Sequence, residues 1–159
     1  AATATADLLH AATAAQAAAR AADIDLAIAV ARWATAHPEP SQWPYGYFPE
    51  GLAGLEGTDV ELMLAGPGAP GVGEFAVIEL AAALGMSTDS GRHLVGDVLE
   101  LMHRLPRLWD LVLTGKVHVW QARRTAQHTR TCSKAAADYV DRQIHAAAGR
   151  IAHDDAHRP

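Results

Sequence analysis

The 159-residue sequence has a single cysteine, no asparagine, no Lys or Arg between Arg32 and Arg92, and no long uninterrupted apolar run. Each absence removes a class of protein. Cys132 alone excludes an internal disulfide and any multi-thiolate zinc site. A membrane helix needs about 18 or more consecutive apolar residues, and no stretch approaches that, so no membrane partner is expected. The first residues carry neither a methionine nor a basic leader, so the chain reads as a trimmed piece of something longer, without a secretion signal. A reducing cytoplasm fits the cysteine usage.

Half of the residues are apolar, and much of that share is alanine, which favours helix and close helix contacts over a bulky core. Charge is unevenly spread. Residues 1–90 hold two Lys/Arg against eleven Asp/Glu, whereas residues 91–159 hold eleven against seven and seven of the nine histidines. The C-terminal half is therefore expected either to face something anionic or to attract the acidic half.

Apolar positions recur at spacings of three and four from Ala4 to Ala36: Leu8, Ala12, Ala15, Ala19, Ala22, Leu26, Ala29 or Val30, and Trp33. This predicts one long helix, ended by the prolines of His37-Pro38-Glu39-Pro40. Its length suits a hairpin partner or a dimer seam. Residues 37–73 read as an acidic Pro/Gly/aromatic loop with a short element near Val60–Ala65, its aromatic residues Trp43, Tyr45, Tyr47 and Phe48 packing on the helices. Helical patterns return over Gly73–Leu84, Thr88–Arg104, Arg107–Leu113 and His118–Thr129, and after Ser133. A tail follows from residue 153. The expectation is an all-α, single-domain helical bundle: a long helix over 1–36, the loop over 37–73, a helical region over 74–152 and the tail over 153–159.

Gly66–Gly71 reads GPGAPG, which imitates a dinucleotide-binding turn. Pro67 and Pro70 lack the N–H groups that a pyrophosphate needs, and no second strand follows. A hinge is the better reading.

The stretch ELAAALGMSTDSGRHLV, from Glu79 to Val95, has the form of a helix-turn-helix. Ala81 permits close approach, Gly85 sits at the turn, and Ser87 can cap the second helix. Thr88, Ser90, Arg92 and His93 would face a DNA groove. Gly91 departs from the pattern, because an apolar residue normally packs there. Lys116, Arg123, Arg124 and Arg130 follow, suited to phosphates on either side of the groove.

The block from Ile78 to Arg150 resembles the actinobacterial domain of unknown function 222, also called the 13E12 repeat family. It shares an E-[IL]-A-x-x-L start in ELAAAL, an "LP" pair at Leu105-Pro106, the "G-[KR]-[IV]" of the family's "L-x-x-G-[KR]-[IV]" at Gly115-Lys116-Val117, with Val112 in the place of the leucine, and a Q/A/R cluster in QARR. More distantly, the run to GKVHVWQAR is similar to the helix-turn-helix core of ParB-type partition proteins. The resemblance implies the N-terminal, DNA-binding module of an HNH endonuclease, with double-stranded DNA and a C-terminal HNH domain of the same chain as partners.

An HNH site needs histidine and asparagine around a divalent metal, so with no asparagine these 159 residues hold no catalytic residue and no cofactor. The metal would belong to the nuclease domain. His153 and His157, spaced i and i+4, read as a solvated tail rather than a metal site. Cys132 reads as a small filler, and Trp109 and Trp120 as core residues. The alternative to DNA binding is a helical scaffold or homodimerisation domain built on the long helix. The acidic loop could also fold over the basic half and compete with DNA.

Overall fold

A computed structural model describes residues 2–38 and 59–156, without side chains for the first two of these and for 149–156. The aromatic residues Trp43–Phe48, most of the acidic loop and His157 lie outside that range, as do the side chains of His153–Ala156. The chain is all-α. Its elements are α1 (Ala2–Ala36), a two-residue pair β1 (Glu61–Leu62) and β2 (Val72–Gly73), then α2 (Glu74–Ala83), α3 (Thr88–Arg104), α4 (Pro106–Leu113), α5 (Val119–Thr129) and α6 (Lys134–Ala156). The strands are antiparallel, with Glu61 opposite Gly73 and Leu62 opposite Val72. α6 runs past the expected tail boundary at residue 153. No described helix is long and apolar enough to cross a membrane.

α3 is the axle of the bundle, with α1, α2, α4, α5 and α6 all packed on it. One core cluster joins Ala27, Val30, Ala31 and Ala34 of α1 to Val77 of α2 and Leu94, Val95, Val98 and Leu99 of α3. A second joins Leu101 and Leu105 to Leu108, Val112, Ala122, Ala126 and Ala137 at the other end. Trp33 fastens α1 to α2 by donating its indole N–H to the Ala76 carbonyl at 2.9 Å.

Only the second half of α1 is docked. Every residue from Ala4 to Asp23 is exposed, with Leu8 at 72% and Leu9 at 65%. At about 1.5 Å per residue this projection extends roughly 30 Å. The expected stripe is exposed from Leu8 through Ala12, Ala15, Ala19 and Ala22 to Leu26, and docks only at its end, through Val30 and Trp33. Leu26 is itself exposed, while its neighbour Ala27 is buried. Alanine on all sides gives a helix no single preferred face, so packing partners choose one.

The turn after α2 is built as the sequence implies. Gly85 has φ +66°, the Met86 N–H donates to the Ala81 carbonyl at 2.9 Å and the Gly85 N–H to Ala82 at 3.1 Å. This pattern closes a helix at a left-handed residue. Ser87 then caps α3 by accepting from the Ser90 N–H at 3.2 Å. Gly91 is explained by proximity: a Cβ built there would lie 2.7 Å from the Ala81 Cβ. The two helices touch too closely for the apolar residue usual at that position.

α4 begins at Leu105-Pro106, which has no side chain able to cap it. Asp141 does so from α6, its fully buried carboxylate accepting from the Leu108 N–H at 2.9 Å and the Arg107 N–H at 3.1 Å. Two N–H groups left open by the start of a helix are thereby satisfied.

Candidate nucleic-acid interface

The side chains expected to read a groove are Thr88, Ser90, Arg92 and His93, all in the first turns of α3. They do lie toward solvent: Ser90 and His93 are exposed, Thr88 and Arg92 half-buried. From Leu94 to Leu101, however, every residue of α3 is buried. Only the tip of the helix is available, whereas groove reading uses a helix that can lie in the groove. The tip is also already engaged. The Ser87 hydroxyl donates to the Ser90 hydroxyl at 2.9 Å. Arg92 donates to the Glu74 carboxylate at 2.6 Å and lies 3.6 Å from that of Asp89. Two carboxylates, Glu74 and Asp89, thus flank the Arg92 guanidinium at this end of α3.

The expected phosphate contacts divide into two kinds. Arg123 donates through Nε to Asp97 at 2.9 Å, and Arg130 is paired with the same carboxylate and donates to the His93 carbonyl at 2.9 Å. Gln127 adds a third bond to Asp97 at 3.0 Å. Asp97 is fully buried, so these groups supply the partners its charge needs in a poorly solvating site. This corrects the expectation for Arg123 and Arg130: they hold α5 against α3 and are not loose cations. His93, Gln127 and Arg130 line a shallow recess beside this cluster.

One turn along α3, Glu100 and Arg104 form a second buried pair at 2.7 Å. Glu100 also accepts from the Thr129 hydroxyl at 2.7 Å and the Gly66 N–H at 2.8 Å. Arg104 donates to the carbonyls of Thr129 at 3.0 Å and Cys132 at 2.6 Å. The glycine loop is thus pressed onto α3. A Cβ at Gly66 would strike the Arg104 guanidinium, so the segment read as a hinge is a clamp.

Lys116 and Arg124 remain. Both are exposed, and neither forms an ion pair with the described residues. Gly115, with φ +72°, ends α4 and turns Lys116 outward. Arg124 belongs to the outer face of α5 with Trp120, Gln121 and His128, all exposed, while Ala122, Ala126 and Thr129 face inward. Trp120 corrects another expectation. It is 56% exposed and stands beside His118, ring centroids 6.4 Å apart, whereas Trp109 packs against both core clusters as expected.

The signal missed in the sequence is visible in retrospect. Leu111 to Ala137 contains no Asp or Glu, so α5 and the turns around it carry cations without local carboxylates. Arg20 of α1 joins their edge, reaching the Gly115 carbonyl at 3.4 Å, and Asp23 lines the same small groove as His118. Among the described residues, no group of three or more His, Cys, Asp or Glu could hold a metal ion.

No family model matches the chain, and no curated protein or solved structure does.

Proposed function

We propose that this chain is a non-enzymatic DNA-binding module that makes its contacts through α5 and the turn at Lys116. The observation that carries the reading is the carboxylate-free stretch from Leu111 to Ala137, on which Lys116, Trp120 and Arg124 stand exposed. Such a surface attracts a polyanion and holds it through phosphate contacts. The resemblance described above supplies the context: double-stranded DNA as target, a C-terminal HNH domain as the catalytic partner, divalent metal confined to that domain, and a cytoplasmic setting. Under this reading the helix-turn-helix-like corner is architecture, and its Thr88, Ser90, Arg92 and His93 flank the contact at most.

A mobility-shift titration across salt concentrations tests the proposal. Duplex binding should weaken steeply as salt rises, and Lys116→Ala and Arg124→Ala should each reduce the salt slope by about 0.9. Absence of binding at low salt, or a slope unchanged in both variants, rejects it.

A second reading is supported by the projecting half of α1, whose exposed Leu8 and Leu9 suit a scaffold or homodimer. Light scattering separates the two: a tight dimer without affinity for DNA favours the scaffold.

A further inference from the structure

We infer that the DNA held at α5 is unpaired, with Trp120 serving as the platform on which a base stacks. The inference rests on the DNA-binding reading above and replaces its double-stranded target with a single strand. Three observations converge on it. The Trp120 indole is mostly in solvent, although a tryptophan gains more than any other side chain from being covered. Arg124 follows at i+4 on the same helix face, within reach of a phosphate next to a stacked base. Gln121 and His128 are exposed on the same helix, and α5 carries no carboxylate to repel a backbone.

Duplex DNA uses this arrangement poorly. Its bases hide their faces in the stack, so a proud indole meets only sugar and phosphate unless it wedges between base steps. A single strand offers both faces of every base, and stacking plus backbone cations is the general means of holding one. The exposed carboxylates on elements packed against α5 are Asp7, Asp23 and Asp25 on α1 and Asp110 on α4, together with Asp89 at the tip of α3. They lie off α5 itself and would confine the strand to its outer face.

The test compares fluorescence anisotropy of a labelled oligothymidylate of about 16 nucleotides, an oligouridylate of equal length and a duplex of equal length, using the whole chain. Single strands should bind more tightly than the duplex. Trp120→Ala should weaken single-strand binding about 5- to 100-fold, the range expected for one stacked base, and leave the duplex unaffected. Trp120→Phe, which keeps an aromatic face, should retain most of the affinity. The salt slope should fall by about 0.7 in Arg124→Ala and stay unchanged in Trp120→Ala. Tighter binding of the oligouridylate than of the oligothymidylate would overturn the assignment to DNA. Thermal melting of Trp120→Ala should match the parent protein. If the duplex binds as well as the strands, or Trp120→Ala binds like the parent, the stacking inference fails while DNA binding stands. If no nucleic acid binds at low salt, both fall.

Discussion

α3 and α5 lie against each other and carry similar numbers of polar side chains, yet they use them in opposite ways. On α3, Asp97, Glu100 and Arg104 recur at spacings of three and four and are all buried. On α5, the matching row of Arg123, Gln127 and Arg130 turns inward to meet Asp97. The other face of α5 has no opposing element among the described residues, and there Trp120 and Arg124 stay in solvent. A cation next to an apolar helix is therefore available to a ligand only when no buried carboxylate has claimed it. Arg123 and Arg124 are adjacent in sequence and differ in this alone.

The comparison can be broken most directly at Glu100. Glu100→Ala leaves Arg104 buried without its carboxylate and should cost about 3–5 kcal/mol, seen in thermal melting as a drop of the order of 10 °C. Arg124→Ala should change stability by less than about 0.5 kcal/mol. Similar losses in both variants would erase the distinction between the helices. Arg123→Ala comes next, at about 1–3 kcal/mol, because the Asp97 carboxylate loses a partner in the interior. It should affect stability more and the DNA salt slope less than Arg124→Ala, a crossed result that chemical denaturation and anisotropy can establish together.

The corner between α2 and α3 offers a further check on its architectural role. Gly91→Leu, which restores the residue usual in a helix-turn-helix, should destabilise by about 1–3 kcal/mol through overlap with Ala81. Denaturant unfolding that shows no loss would mean the helices can move apart. Gly85→Ala should cost about 1–2 kcal/mol, since an L side chain disfavours the left-handed conformation.

The smallest effect belongs to His103, near the end of α3. Partial burial lowers its imidazole pKa from the ordinary 6.5. The unfolded chain therefore takes up the proton first as pH falls. Its contribution is fully present above pH 6.5 and is lost as pH falls through the lower folded value. His103→Gln should flatten that shallow decline in melting temperature, and an unaltered profile would remove His103 as its source.

Much of the fold was legible because helices announce their ends chemically. Pro38 and Pro40 mark the end of α1, Ser87 caps α3, and Gly85 and Gly115 close the helices before them. Which face of each helix would be buried was less legible. Along α1 the alanines form several equivalent stripes, and the docked set of Ala27, Val30, Ala31 and Ala34 was fixed by contacts with distant residues. The fates of Arg123, Arg130 and Trp120 were hidden for the same reason. Residue type gives each a capacity, but only the packing of α5 on α3 decides which way each one points. The carboxylates within the apolar run LVGDVLEL of α3 were the overlooked clue, because such groups require partners wherever they are buried.

The half-docked α1 has a consequence for how the molecule opens. Its backbone amides before Asp23 can exchange hydrogen by unwinding from the end, whereas those between Ala27 and Ala34 are released only when the core separates. A protease acting at Arg20 would need just the first of these events. One continuous helix thus contains a segment that can unravel without the core and one that cannot, and clipping the former should leave the latter in place.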